Sequence, residues 1–279
     1  YNMCGLVGFL YNKDKVDSEI SSQLLSMTKS ISHRGPDDDG FWINEKSRLA
    51  LGHRRLSVLD LSSAGHQPMH STSGRYVIAF NGEIYNHLNL REKLDSDLDN
   101  VIEWIGHSDT ETLLSCFEIW GIDVTLEKIS GMFSIALYDT KYDSLYLIRD
   151  RMGEKPLYYG WTGDVFLFGS ELKSFKQHPA FKAVINRDAI TLLLRHNYIP
   201  APYSIYQDIS KLDPGHLLMV SKANPEPKIW SYWSAVDIVN NGVNDPFIGS
   251  YQSELQVVKF LCVQKKLLTW INNSLSEEG

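Results

Sequence analysis

The first chemically informative residue of the chain is a cysteine near its start, in the run Met3-Cys4-Gly5. If processing makes Cys4 the first residue, that residue carries two catalytic groups. Its thiol is a nucleophile, and its free α-amino group, with an ordinary pKa of roughly 7.7–8.0, can act as the general base. In the sequence as it stands, Tyr1, Asn2 and Met3 precede the cysteine. We therefore expect little catalysis while these residues remain attached, because the base is then part of a peptide bond.

Five further segments are richer in polar and charged side chains than a plain fold requires, and four of the five also contain glycine. They are residues 33–37, 52–57, 81–86, 108–111 and 149–159. Each also has an ordinary structural explanation. Asn81-Gly82 is typical of a hairpin turn, Asp109 of a helix N-cap, and Arg55 of a solvated strand residue. No single segment decides between structure and catalysis, so the interpretation depends on their combination.

The elements that must position these residues can be predicted from hydrophobic periodicity. Strands are expected at 4–11, 40–43, 48–51, 76–80, 132–139, 144–148, 157–160 and 165–169, and helices at 17–31, 87–94, 109–120, 171–177 and 188–195. Several strands are apolar on both faces, and short turns join neighbouring strands, which favours antiparallel hairpins. The pattern predicts an α+β fold in which two antiparallel sheets stack together with helices outside. A loop is expected at 198–214, a linker at 240–246 and a further helix at 253–271.

Length, charge and cysteine content restrict the function classes. With 279 residues, 43% of them hydrophobic and 22% charged, the chain is long enough for one large or two small domains. A net charge of −7 without a Lys/Arg block argues against nucleic acid or membrane as a partner, and no apolar run is long enough for a membrane span. Three scattered cysteines, Cys4, Cys116 and Cys262, argue against a disulfide framework and favour a reducing cytoplasm. No metal site is expected, because the cysteines and nine histidines show no ligand spacing.

Together and in this order, the segments resemble one family, the glutaminase domain of the class II glutamine amidotransferases, specifically of the asparagine synthetase type. The resemblance covers about residues 3–233. It is carried by Asn-Gly-Glu-Ile-Tyr-Asn at 81–86, Arg-Asp-Arg-Met-Gly-Glu-Lys-Pro-Leu-Tyr-Tyr at 149–159, Gly-Ser-Glu-Leu-Lys at 169–173 and Leu-Asp-Pro-Gly-His at 212–216. Membership implies an N-terminal nucleophile hydrolase fold, a four-layer αββα sandwich of two antiparallel sheets.

The resemblance also implies roles in the hydrolysis of the glutamine side-chain amide. Cys4 would attack the amide carbon, and its own amino group would handle the proton. The side-chain amide of Asn81 and the backbone N–H of Gly82 would form the oxyanion hole, the pair of donors that stabilises the oxygen of the tetrahedral intermediate. These three are the expected catalytic residues.

The amino-acid head of the substrate needs a separate clamp. Arg55 would grip its carboxylate, because a planar guanidinium offers a bidentate fit. Asp109 would bind its ammonium, with Glu83 assisting. Two further groups of residues are interpreted as structural: His33, Arg34 and Asp37 as braces of the pocket or members of a hydrogen-bonded turn, and Arg149, Asp150 and Glu154 as an internal salt-bridge cluster.

In the family, the ammonia passes to an ATP-dependent synthetase domain that makes asparagine from aspartate. The pyrophosphate-binding segment of that domain, Ser-Gly-Gly-x-Asp-Ser, does not occur in this sequence. We expect an amidotransferase domain at 4–235, followed at 236–279 by a linker and a truncated or divergent start of the synthetase domain. No cofactor is expected for the glutaminase domain, since ATP and Mg²⁺ belong to the synthetase domain. The expected partners are glutamine and that domain, with a homodimer as a further option.

Two other functions stay open on the sequence alone. A partner domain that amidates a sugar acid or another carboxylate is equally compatible, because the acceptor site would lie outside these residues. A catalytically silent module is the other alternative, in view of the residues that precede Cys4 and of an unfamiliar tail from about Gln256 onward.

Overall fold

The structure, a computed structural model, describes residues 3–12, 19–57, 62–97 and 102–244. The strands are β1 (Gly5–Tyr11), β2 (Asp38–Asn44), β3 (Leu49–Arg55), β4 (Met69–His70), β5 (Tyr76–Ile84), β6 (Gly131–Asp139), β7 (Ser144–Arg149), β8 (Tyr158–Thr162), β9 (Val165–Gly169), β10 (Ile209–Lys211), β11 (His216–Val220) and β12 (Lys228–Ser231). The helices are α1 (Ile20–Ser30), α2 (His87–Asp97), α3 (Asp109–Lys128), α4 (Leu172–Phe175), α5 (Arg187–His196) and α6 (Ala235–Asn244), with a short 3₁₀ helix at Ser63–Gly65.

The strands form two six-stranded antiparallel sheets. The first has the strand order β10-β8-β9-β1-β3-β2, and the second has the order β12-β11-β7-β6-β5-β4. Neighbours such as β6 and β7 are hairpins, in which Asp139 pairs with Ser144 across a short turn. The first strand of the chain therefore lies inside its sheet, where both of its edges are paired.

Side chains on both faces of the central strands are buried, which explains why these strands are apolar almost throughout. On β5, Val77 and Ala79 point into the core between the sheets, whereas Ile78 and Phe80 point into a second core on the outer face. Helices α2 and α3 cover that outer face, and α1 and α4 cover the outer face of the other sheet. The predicted four-layer αββα sandwich is confirmed.

The structure differs from the predicted elements mainly at the edges of the sheets. Strands β4, β10, β11 and β12 were not predicted, and β10 lies within the segment expected to be a loop. The expected linker at 240–246 is wrong in its first part, since residues 240–244 belong to α6. The helix expected at 253–271 lies outside the described residues, and the division at residue 235 stays a prediction. No helix in the described ranges is long and apolar enough to cross a membrane.

Candidate active site

Cys4 lies at the end of the first sheet, where β1 begins and β3 ends. Gly5 pairs with Arg54, so Cys4 comes beside the last residues of β3. The backbone N–H of Leu56 donates a hydrogen bond to Cys4 Sγ at 3.3 Å, and the thiol donates to the Leu56 carbonyl oxygen at 3.5 Å. The half-buried thiol is thus held by the backbone of one residue, Leu56, which lies in the polar segment 52–57 but was assigned no role from the sequence.

Arg34 holds Cys4 from the other side. Its Nε donates to the Cys4 carbonyl oxygen at 2.9 Å, and its Nη1 forms an ion pair with Glu171 at 2.9 Å. Glu171 also accepts a bond from His33 at 2.9 Å. A β-carbon at Gly5 would lie 3.0 Å from Arg34 Cδ, so the glycine allows this close approach. Arg34 therefore braces the pocket, in agreement with one of the two interpretations of this segment.

Arg55 is not a solvated strand residue. It is 8% exposed, and its Nη1 donates to the Ser62 carbonyl oxygen at 2.9 Å. The guanidinium packs directly on Gly65, where an added β-carbon would lie 2.0 Å from Nη2. Its positive charge lowers the pKa of the Cys4 thiol, so the two side chains share one electrostatic environment.

Asn81 and Gly82 lie within β5 and not in a hairpin turn. Asn81 pairs with Ser134, and Gly82 pairs with Phe133. The Asn81 amide is 1% exposed, and its Nδ2 donates to Ser134 Oγ at 3.4 Å. A β-carbon at Gly82 would lie 2.3 Å from the Met132 carbonyl oxygen, which accounts for the glycine without any turn.

The backbone alternation of β5 directs the Gly82 N–H away from β6. Two residues before it, the Phe80 N–H donates to Gln67 Oε1 at 2.6 Å, and two residues after it, the Ile84 N–H donates to Asp109 Oδ2 at 2.9 Å. Both bonds leave on the side of β4, which pairs only with the first part of β5. Because alternate residues of a strand point their N–H groups to the same side, Gly82 presents its N–H between these two bonds.

Asp109 begins α3 but is not its N-cap. The cap is Ser108, whose side chain accepts the Glu111 N–H at 3.2 Å. The Asp109 carboxylate instead reaches back to the Ile84 N–H. Burial, with a further contribution from the charge of Glu83, raises the pKa of Asp109 to about 6. An aspartate of this kind favours a cationic ligand, because the ligand would compensate its buried charge.

A fully buried histidine joins the two sheets beneath these residues. His53 Nε2 lies 2.9 Å from the Phe80 carbonyl oxygen, directly before Asn81. Burial lowers the pKa of His53 to about 4, so its ring is neutral near pH 7. A carbonyl can only accept, and Nε2 therefore carries the proton. Within the described residues, Nδ1 has no hydrogen-bond partner. His53 lies in the segment 52–57, but no sequence pattern indicates its contact with Phe80.

The Cys4 thiol is not activated by its surroundings alone. Burial raises its pKa, the Leu56 N–H lowers it, the charge of Asp109 raises it, and the charges of Arg55 and Lys155 lower it. With burial as the largest effect, the thiol stays protonated near neutral pH. Any nucleophilic role therefore requires a base to take its proton.

The expected salt-bridge cluster around Arg149 and Asp150 is a set of side chain to backbone bonds. Arg149 donates to the carbonyl oxygens of Gly153, Lys155 and Leu212, and the Asp150 carboxylate accepts the N–H groups of Phe133, Met152, Glu154 and Lys155. Polar backbone groups of an irregular loop need such partners when they are buried. The two side chains therefore fix the loop between β7 and β8 beside the site.

A groove of about 920 Å³ lies at the opposite end of β1, where Tyr11 and the turn at 162–164 form part of its wall. None of the six predicted site residues lines it. In the described part of the chain, no three His, Cys, Asp or Glu side chains come together so that they could hold a metal ion.

Two stacked antiparallel sheets between helical layers are the architecture of the N-terminal nucleophile hydrolase fold. A solved structure of glutamine phosphoribosylpyrophosphate amidotransferase from B. subtilis has this fold, with a TM-score of 0.60 and 17% identity over 82% of this chain and 49% of that one.

A family model described as a glutamine amidotransferase domain matches residues 3–233, and the chain belongs to this family. A putative asparagine synthetase (glutamine-hydrolyzing) 2 of Methanocaldococcus jannaschii is 36% identical over 84% of this chain and 47% of its own length. Asparagine synthetase (glutamine-hydrolyzing) 3 of Bacillus subtilis is 32% identical over 99% of this chain and 44% of its own length. The predicted family is confirmed, and the chain spans slightly less than half the length of these relatives.

Proposed function

We propose that this domain hydrolyses the side-chain amide of L-glutamine to L-glutamate and ammonia, with Cys4 as the nucleophile. One observation carries the proposal: the Cys4 thiol lies within the influence of two charges of opposite sign, those of Arg55 and Asp109. A substrate with a carboxylate and an ammonium at one end and a carboxamide at the other fits this arrangement. Membership of the amidotransferase family supports the same reaction.

The general base is the α-amino group of Cys4, in the form of the protein that begins with this residue. The raised pKa of the thiol supports the need for a base. An α-amino group with an ordinary pKa of roughly 7.7–8.0 is partly unprotonated near neutral pH. While Met3 is attached, the same nitrogen is an amide and accepts no proton.

The reaction has two stages, the formation and the hydrolysis of a thioester on Cys4. The thiol proton passes to the amine as Sγ bonds to the amide carbon of glutamine. Collapse of the tetrahedral intermediate breaks the C–N bond, and the ammonium of Cys4 returns the proton to the leaving nitrogen, which departs as ammonia. Water then hydrolyses the thioester, which gives glutamate and restores the thiol.

The oxyanion of the intermediate is stabilised by the Asn81 amide and the Gly82 N–H. The direction of the Gly82 N–H toward the open side of β5 supports this role. One such donor is typically worth about 10²–10³ in rate. Arg55 binds the substrate carboxylate, and Asp109 binds its ammonium, with Glu83 assisting through its negative charge beside Asp109.

The ammonia is destined for an ATP-dependent synthetase domain that makes asparagine from aspartate. The relatives named above support this part, since their names describe glutamine-hydrolysing asparagine synthetases and their chains are about twice as long. ATP and Mg²⁺ would act in that domain, and the glutaminase site needs no cofactor.

The test is release of glutamate from L-glutamine by protein trimmed to begin at Cys4, with its mass verified. We expect hydrolysis by this form and its loss, to below about one thousandth, in Cys4→Ala. If Cys4→Ala hydrolyses glutamine at the same rate, Cys4 is not the nucleophile. If a form whose mass includes Tyr1, Asn2 and Met3 is fully active, the α-amino group is not the general base. That result would not affect the assignment of Cys4 as the nucleophile.

A further inference from the structure

A buried lysine reaches the segment that directly precedes the nucleophile. Lys155 is 5% exposed, and its Nζ donates to Met3 Sδ at 3.1 Å. In the described part of the chain, no carboxylate lies within ion-pair distance of this ammonium. A buried cation whose described contact is a thioether needs an explanation, because burial of a charge is costly unless another group compensates it.

The backbone at Lys155 is held on both sides. Its N–H donates to Asp150 Oδ2 at 2.9 Å, and its carbonyl oxygen accepts from Arg149 Nε at 2.8 Å. The neighbouring Gly153 carbonyl accepts from the same guanidinium at 2.7 Å. The proposed reaction does not use the run of charged residues at 149–155. These residues instead fix the backbone position of Lys155.

The charges around the lysine define its effect on its neighbours. Burial and the nearby charge of Arg34 lower the pKa of Lys155, whereas Glu154, the Cys4 thiol and Asp150 oppose this shift. The carboxylates of Glu154 and Asp150 favour the cationic form of the lysine. The lysine charge in turn lowers the pKa of the Cys4 thiol. The charge of Arg55 acts in the same direction, whereas the charge of Asp109 raises this pKa.

We propose that Lys155 is a positioning residue for the general base: once Cys4 is the first residue, the lysine ammonium faces the α-amino group and keeps it unprotonated near neutral pH. This inference rests on the proposed function. Removal of Met3 takes away the side chain that meets Lys155 Nζ and creates an amino group on the residue that directly follows Met3. Two ammonium groups at close range repel each other, so the neutral amine is favoured. The same repulsion helps the amine to return its proton to the leaving nitrogen.

The first test is the pH profile of kcat/KM for glutamine in protein that begins at Cys4. In Lys155→Met, we expect the acidic limb to move up by about one pH unit, which is about a tenfold loss on the acidic side, while the alkaline plateau is kept. Lys155→Arg keeps the positive charge and should return the acidic limb to its position in the unmodified protein. Lys182→Met, at an exposed lysine of the remote groove, is the matched control and should follow the unmodified protein. A superimposable profile in Lys155→Met, or an equal loss at every pH, overturns the inference.

The second test measures the protonation of the α-amino group directly and does not depend on catalysis. In Cys4→Ala, which has no thiol to titrate, the ¹³Cβ shift of the introduced alanine reports the protonation of its α-amino group. Loss of the lysine charge should raise this midpoint by about one pH unit, in Lys155→Met or, if that variant does not fold, in Lys155→Gln. An unchanged midpoint overturns the inference even if glutamine hydrolysis is confirmed. A moved midpoint without glutamine hydrolysis upholds the effect of Lys155 on the amino group and overturns the proposed function instead.

Discussion

The carboxylate of Asp109 accepts a hydrogen bond from the backbone N–H of Ile84 at 2.9 Å, which ties the first turn of α3 to the end of β5. The same strand carries Asn81 and Gly82, so the residue proposed to bind the substrate ammonium is joined to the proposed oxyanion hole. The carboxylate is almost completely buried and has its pKa raised to about 6. An anion held in this way destabilises the protein when no cation is bound to it.

Asp109→Asn should therefore stabilise the substrate-free protein at neutral pH. A group whose pKa is higher in the folded state favours folding below its unfolded pKa, here 3.8, and loses this contribution as the pH rises through about 6. The difference of about two pKa units corresponds to on the order of 3 kcal/mol. We expect the free energy of unfolding of Asp109→Asn, relative to the unmodified protein, to increase by up to this amount between pH 4 and 7. Urea titrations at both pH values measure it, and a difference independent of pH contradicts the prediction.

The same substitution should weaken glutamine binding, because the substrate ammonium loses its anionic partner. We expect KM to rise at least tenfold, about 1.4 kcal/mol, with a smaller effect on kcat. Glu111→Gln is a suitable control, since Glu111 lies in the same helical turn but bonds to the N–H groups of Ile105 and Gly106. An unchanged KM in Asp109→Asn would exclude the ammonium-binding role.

Asn81→Ala should reduce kcat by about 10²–10³ with little change in KM, because an oxyanion donor acts mainly in the transition state. Ser134→Ala is the matched control. Its hydroxyl accepts the Asn81 amide at 3.4 Å, a long bond whose loss should reduce kcat by less than about tenfold. Steady-state kinetics with glutamine separate the two parameters, and a defect of Asn81→Ala confined to KM argues for a binding role instead.

Gly65→Ala should act through Arg55. The added methyl group would lie 2.0 Å from Arg55 Nη2 and 2.6 Å from Cζ, which are the mobile end of a long side chain. The guanidinium would move while the backbone stays, so we expect a KM for glutamine raised by about tenfold and a melting temperature nearly unchanged. Ser62→Ala, which keeps the carbonyl that Arg55 uses, should leave KM within about twofold. An unaltered KM in Gly65→Ala would show that Arg55 does not hold the substrate carboxylate.

The sequence predicted the layers of the fold because its central strands are apolar on both faces, as in β5 and β6. It could not decide what Asn81-Gly82 does, since a turn and a strand end both tolerate these residues. Residues far along the chain determine the structure at these two positions. Strand β6 pairs with both of them, and the Met132 carbonyl leaves no room for a side chain at Gly82.

Contacts made by backbone atoms were beyond prediction for the same reason. The Leu56 N–H that meets the thiol is present in every residue but proline, so no residue type marks it. Arg149, Asp150 and Glu154 were expected to form an internal salt-bridge cluster. In the folded chain the side chains of Arg149 and Asp150 bond instead to carbonyl and N–H groups of the loop, which need such partners when they are buried. Short edge strands such as β12, with four exposed residues, show too little apolar alternation to be recognised.

His53 offers a test of the contact between the sheets that uses stability alone. Burial lowers its pKa from 6.5 to about 4, so the folded state resists protonation that the unfolded chain accepts. A group with a depressed pKa contributes stability above 6.5 and loses it as the pH falls toward 4, here on the order of 3 kcal/mol. His53→Gln keeps a donor for the Phe80 carbonyl but cannot titrate, so its free energy of unfolding should fall less steeply than that of the unmodified protein between pH 6.5 and 4. His70→Gln, at an exposed histidine, should follow the unmodified protein. Parallel curves for His53→Gln and the unmodified protein would contradict the prediction, because His53 would then be protonated as readily in the folded as in the unfolded state.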